Sequence, residues 1–366
     1  KFKLNKEFQK SEKEESLLIW TTTPWTLQSN MAIAVNPLIN YARALIEING
    51  KEEILIMAES LVNGLINKLS KQNDIKLIKI LEILKGADLE GVKYEHIYLD
   101  ETPSQKEFLK ENHKHLHSVI LADFVSLAED EDIFDKLDKR GYKHSNSSNE
   151  SETNLEQKSI KKGKTEGSGL VHIAPGHGFD DYNVSKRYNL PIFSPVNEKG
   201  LFTEGKYKGL YFKDVDPVAI EYLKEKGFLI FNELKSHRYP CCWRCKTPIV
   251  YRAADQWWIK RSQIVNEIIK ENSNIHWFPK SAKDSFNNLM ETAGDWAISR
   301  QRYWGIPLPI FEDEDGNYEV FASKDELEKR IGYRLEDIHR DTLKKLKIIN
   351  EKNGKEMKAV PFIADV

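Results

Sequence analysis

The chain has 366 residues, room for two or three domains with a real hydrophobic core. Lys and Arg total 55 against 57 Asp and Glu, a net charge of −2, which excludes a globally basic nucleic-acid binder but leaves room for a local basic surface. No apolar run approaches the roughly 20 residues that cross a bilayer, and KFKLNKEFQK at the start has no apolar stretch behind it. Three cysteines, all within 241–245, make no disulfide framework, so a cytoplasmic enzyme with no membrane attachment is expected. The sequence opens on Lys1 rather than Met, which points to further sequence upstream.

The first 125 residues read as mostly strand. LLIWTTT (17–23), MAIAV (31–35), YARALIEI (41–48), EEILIMA (52–58), IKLIKILEIL (75–84) and SVILADFV (118–125) are β-branched or alternating segments. One amphipathic helix interrupts them, with Leu61, Leu65, Ile66 and Leu69 on one face. Closely spaced strands with a single helix predict a β-rich, barrel-like domain rather than a doubly wound sheet. Residues 129–166 are rich in Ser, Asn, Lys and Glu and poor in large apolar residues, which predicts a flexible surface insertion. Order resumes at GSGLVHIAP. Asp216 and Pro217 read as N-cap and first residue of a helix that Gly227 ends. From 261 onward helical segments alternate with one strand-like run, IPLPIF (306–311).

Three segments carry chemistry. WTTTPWTLQSN (20–30) sets Thr21, Thr22 and Thr23 at the end of an apolar strand, between Trp20 and Trp25 and ahead of Asn30. Their hydroxyls either line a pocket, each as donor and acceptor, or are ordinary strand residues. GSGLVHIAPGHGFDDY (167–182) alternates His172 with Val171 and Ile173, then sets Asp180 and Asp181 in the first turn of a helix, where the dipole favours carboxylates. A fixed carboxylate there holds an ammonium, or the acids merely cap the helix; Gly176 allows close backbone approach. His172 and His177 lie five apart, a weak metal spacing. CCWRC (241–245) contains the C-x2-C pair Cys242 and Cys245, either half of a zinc knuckle, with His237 as a possible helper, or plain buried cysteines. His113, His115 and His117 share one strand face in this reading, in surroundings hydrophilic enough for a solvated loop.

In this order, WTTTPWTL…N, GSGLVHIAPGHGFDDY, YPCCWRCKTPIVYRAADQWWI and GDWAISRQRYWGIPLPIF resemble the editing and post-editing signatures of isoleucyl-tRNA synthetases. Valyl and leucyl relatives typically carry arginine where this chain has Thr23. The resemblance implies an α/β protein: a β-rich editing domain at 1–235 with the 129–166 insertion, a return segment at 236–260, and at 261–366 the start of the second half of a Rossmann-like class I catalytic domain. It implies an internal piece of a ligase that uses ATP and Mg2+; the HIGH and KMSKS signatures of that chemistry are absent here. Editing itself needs no cofactor.

A pocket built for isoleucine discriminates valine by one methylene, about 1–3 kcal/mol, a limit for which isoleucine enzymes are the usual illustration. A second site that hydrolyses valyl-tRNA(Ile) is the implied remedy. By resemblance, Asp181 binds the substrate ammonium, Thr21, Thr22, Thr23 and Asn30 position water, ester and terminal adenosine, and His172 limits pocket size. Trp20 and Trp25 serve as walls, with Gly176, His177 and Asp180 beside them. The partners implied are the tRNA(Ile) acceptor end and valine or isoleucine as aminoacyl esters, the protein being a monomer. A silent tRNA-binding module and an editing domain of a valyl or leucyl relative are the alternatives. Gln28 departs from the proline frequent at that position, which predicts a looser turn.

Overall fold

The computed structural model describes residues 1–71, 74–126, 167–234, 239–302 and 304–365. The 129–166 insertion and His237 lie outside the described residues. Two compact units divide the chain, the first ending at Ala253 and the second beginning at Ala254. No helix among the described residues is long and apolar enough to cross a membrane.

Among its described residues the first unit has the strands β1 (Phe2–Lys3), β2 (Glu15–Leu17), β3 (Ala32–Val35), β4 (Asn40–Ile48), β5 (Lys51–Ala58), β6 (Ile75–Lys85), β7 (Ser118–Leu121) and β8 (Val171–Ile173). Among the described residues the helices α1 (Val62–Leu69), α2 (Pro103–Lys110), α3 (Phe179–Tyr188) and α4 (Phe212–Glu225) accompany them. β4 and β5 form a two-residue hairpin because Asn49 and Gly50 accept positive φ, 50° and 79°, as a twisted tight turn requires. One sheet has the order β1-β2-β5-β4-β6, the other β7-β3-β8, with β3 parallel to β7 and antiparallel to β8. Isolated bridges, Leu4 to Tyr94 and Lys93 to Ser118, stitch the two. The β-rich character is therefore present, as two open sheets among the described residues.

Phe2, Leu17, Tyr41, Ile46, Leu55 and Tyr98 anchor the main core. A smaller cluster, including Met31, Ile120, Ile173 and Val184, packs β3, β7 and β8 against α3. An ion pair crosses the large sheet: Arg43 on β4 donates to Glu15 on β2 through Nε (3.1 Å) and a terminal nitrogen (2.6 Å), both residues being buried. Glu82 on β6 accepts a further bond from Arg43 at 2.9 Å.

Three local expectations are corrected. The strand read over 17–23 ends at Leu17, so the threonines lie in irregular chain leading to a short 3-10 helix, Pro24–Ser29. α4 starts at Phe212, four residues before Asp216; Pro217 sits inside it, and the Asp216 carboxylate accepts from the Trp25 N–H (3.3 Å) instead of capping. Gly227, at φ 73°, does end that helix region. His113, His115 and His117 fall in turns ahead of β7, and His117 has φ 49°, so they share no strand face. His113 bonds Glu111 and the Asn189 carbonyl, His115 packs on Tyr188, and His117 stacks on His96.

The second unit holds β9 (Trp258–Ile259), β10 (Trp296–Ala297), β11 (Ser299–Arg300), β12 (Ile310–Glu312), β13 (Tyr318–Val320), β14 (Ile348–Ile349), β15 (Glu356–Ala359) and β16 (Ile363–Ala364). Its helices are α5 (Val265–Asn272), α6 (Ser281–Thr292), α7 (Lys324–Ile331) and α8 (Arg340–Leu343). The main sheet runs β13-β12-β15-β14, every pair antiparallel. Within IPLPIF only Ile310 and Phe311 join it, because Pro307 and Pro309 carry no N–H for a ladder. Its core gathers Phe311, Phe321, Leu327 and Met357.

Candidate active site

Pro24 opens the 3-10 helix, and the three-residue turn of such a helix stacks position i over i+3. Thr23 and Thr26 are so related, and their hydroxyls meet at 3.3 Å. Thr21 joins from the other side: its Oγ1 lies 3.3 Å from Thr23 Oγ1 and accepts the Thr23 N–H at 3.1 Å. Thr26 donates its proton to the Thr23 carbonyl at 2.8 Å. Its 2.9 Å contact with His172 Nε2 is then an imidazole N–H donating to the Thr26 oxygen. A line Thr21, Thr23, Thr26, His172 results. Thr22 is exposed and takes no part in this line.

His172 sits in the middle of β8, opposite Ile33, and is buried. Burial, reinforced by His177, pushes its pKa down to about 4, so the ring is neutral at physiological pH. With Nε2 donating to Thr26, Nδ1 is left as a buried acceptor with no partner among the described residues.

Asp181 belongs to the first turn of α3, and its Oδ2 accepts the Ala174 N–H at 3.0 Å, which brings the carboxylate back to the end of the strand that carries His172. Burial lifts its pKa from 3.8 to about 6, the Ala174 bond opposing. The site therefore holds a carboxylate that ionises only near neutrality. Gly178 makes this geometry possible: a Cβ there would stand 2.7 Å from the Asp181 carboxyl carbon. Asp180 is exposed.

The other expected residues play supporting parts. Asn30 is fully buried; its Nδ2 donates to the Ala32 carbonyl (2.9 Å) and its Oδ1 accepts from Tyr94 (2.5 Å), so the side chain sews β3 to the core. Gly176 is a close-packing position, since a Cβ would lie 2.1 Å from the Phe193 carbonyl oxygen. Trp25 is buried against His177, Phe202 and Phe212. Gln28 is buried too, its Nε2 donating to the Glu204 carbonyl (3.1 Å) and its amide packed on Gly205, so the turn is pinned and not loosened. Trp20, Thr21 and Thr22 line a cavity of about 680 Å³ shared with Pro24, Asp216 and Phe231; His172 and Asp181 are not among its lining residues. Thr26 was not anticipated. The signal was available: a proline-led 3-10 turn after Thr23 stacks the fourth threonine on the third.

No group of three or more His, Cys, Asp and Glu among the described residues is arranged to hold a metal. Cys245 bonds the Thr247 hydroxyl at 3.2 Å and Cys241 the Tyr239 carbonyl. Two thiols at Cys242 and Cys245 do not close a tetrahedral zinc site by themselves.

Residues 94–365 match the family described as tRNA synthetases class I (I, L, M and V), and the chain belongs to that family. Curated relatives include isoleucine–tRNA ligases: 42 % identity over 97 % of this chain to that of Thermococcus kodakarensis, covering 32 % of the relative. The ligase of Methanocaldococcus jannaschii is 40 % identical over 97 % of the chain and 31 % of its own length. The chain thus spans about a third of the relatives it matches. A solved P. falciparum cytosolic leucyl-tRNA synthetase editing domain aligns with 61 % of this chain and 80 % of its own, at 14 % identity and a TM-score of 0.37, too loose a likeness to bear on function.

Proposed function

We propose that this chain carries the editing activity of an isoleucine–tRNA ligase: hydrolysis of the ester linking valine to tRNA(Ile), releasing valine and intact tRNA. The observation that carries the reading is the hydroxyl line Thr21, Thr23, Thr26 ending on His172, with the Asp181 carboxylate fastened by the Ala174 N–H at the end of the same strand. The ionised Asp181 offers an anchor for the α-ammonium of an aminoacyl ester, an interaction strong only where water is displaced. His172, with its pKa about 4, is a poor general base at neutral pH and acts by shape and as a fixed dipole. Thr21 and Thr23 hold each other's hydroxyls in fixed orientations, which suits them to align a water against the ester carbonyl. No threonine has a charged base partner among the described residues, so positioning and oriented hydrogen bonds do the work of catalysis and no covalent intermediate is invoked.

Charging of tRNA with ATP and Mg2+ belongs to the complete ligase in this reading, and no editing step runs through either. Residues 261–366 are assigned to the start of the second half of the Rossmann-like catalytic domain, on the support of the family match through residue 365. The second unit's described strand pairs are antiparallel, so the parallel sheet of such a domain has to come from other sequence. A monomer acting in the cytoplasm on the tRNA acceptor end completes the proposal. The test is deacylation of tRNA(Ile) charged with valine or isoleucine: the reading expects the valyl ester to be cleaved and the isoleucyl ester spared.

A further inference from the structure

His177 does something the editing reading does not require of it. Its Nδ1 lies 3.0 Å from the Tyr251 carbonyl oxygen; a carbonyl only accepts, so Nδ1 carries the proton. The ring stands edge-on to Trp25, with centroids 4.9 Å apart at 75°. Burial, with Arg252 nearby, pushes its pKa down to about 4, which leaves the ring neutral and this tautomer in place. The same residue closes a tight turn, its N–H donating to the Ala174 carbonyl at 2.8 Å, while the N–H of Ala174 is the group that holds Asp181 Oδ2 at 3.0 Å. Between them, the Gly176 carbonyl accepts the Ala253 N–H at 2.8 Å. The turn 174–177 is therefore fastened twice to residues 251–253, the last residues of the first unit, and its first residue sets the carboxylate.

We propose that His177 is a positioning residue: its Nδ1–H bond to Tyr251 anchors the 174–177 turn and, through Ala174, fixes the Asp181 carboxylate. The role rests on the editing reading for its consequence but not for its geometry. His177→Ala removes both the donor and the ring against Trp25. His177→Asn restores a donor at the distance of Nδ1, whereas His177→Gln places its donor about one bond further out, at the reach of Nε2. A role in fold stability alone would leave the Asp181 midpoint of the folded variants unchanged.

The experiment uses the whole chain with Asp181 followed by carboxyl NMR titration, together with Val-tRNA(Ile) deacylation. The expected result is an Asp181 midpoint that departs from about 6 by at least about half a unit in His177→Ala and His177→Gln and returns in His177→Asn. In parallel, kcat/KM falls about tenfold to a hundredfold in the first two and recovers in the third. An unchanged midpoint in His177→Ala, or Asn no better than Gln, overturns the proposal. If His177→Ala does not fold, the Asn and Gln comparison decides alone. Wild-type protein that titrates as expected yet leaves Val-tRNA intact sinks the editing reading while the positioning role stands.

Discussion

Replacing Asp181 by Asn should make the protein more stable while it abolishes editing. The carboxyl titrates at 3.8 in the unfolded chain and at about 6 in the fold because burial penalises its charge. Between those values the unfolded chain releases a proton that the folded chain keeps, so the folded state loses stability as pH rises through that window, and the loss levels off above about pH 7. A shift of about two units corresponds to about 3 kcal/mol at most, and most of it, about 2 kcal/mol, appears between about pH 4 and pH 7. Asn keeps an oxygen for the Ala174 N–H and carries no charge, so it escapes the penalty. Urea unfolding of wild type and Asp181→Asn near pH 4 and near pH 7.5 measures the difference, and comparing the two differences cancels the buried histidines that also titrate near pH 4. A variant advantage that is the same at both pH values, or a variant less stable near pH 7.5, would refute the assignment of a carboxylate whose charge is penalised by burial.

Glu15→Ala leaves Arg43 with Glu82 but without its bidentate partner, and unfolding free energy should drop by about 3 kcal/mol, the low end for a broken buried pair; a loss under about 1 kcal/mol would show the pair to be ornamental. In Gly178→Ala the nearest atoms to the new Cβ are those of the Asp181 carboxyl, at 2.7 Å, which must shift, so deacylation should collapse at a stability cost of about 1 kcal/mol; a variant with full activity counts against the carboxylate's position. The Thr247 hydroxyl, backed by Cys242, holds the Cys245 thiol down to about 7, so its alkylation rate should be half-maximal near that pH. In Thr247→Val the half-maximum should move toward 9, and a wild-type value already near 9 removes the reading.

The strands of the large sheet were legible because they are long and apolar: β4, β5 and β6 run within a residue of 41–48, 52–58 and 75–84. Where one residue type serves two purposes, the reading failed. Asp216 and Pro217 have the chemistry of a helix start, but α4 had already begun at Phe212 and Asp216 was spent on Trp25 across 191 residues of sequence. The threonines extend an apolar run, yet Pro24 and the 3-10 turn take them out of the sheet. Long-range partners are invisible to local pattern: nothing near Thr26 announces His172, nor anything near His177 the Tyr251 carbonyl. The motif positions were legible, whereas which hydroxyl meets the imidazole depends on the register of β8 against β3.

The central claim is hydrolysis of a mischarged ester at the Asp181 site, and one assay reaches it: release of amino acid from valyl- and isoleucyl-tRNA(Ile) by the wild-type chain and by Asp181→Ala. The account predicts release of valine, retention of isoleucine, and loss of most of the valine rate in the variant. Tight, salt-dependent tRNA binding with no release of valine, or an Asp181→Ala variant as fast as wild type, would contradict it.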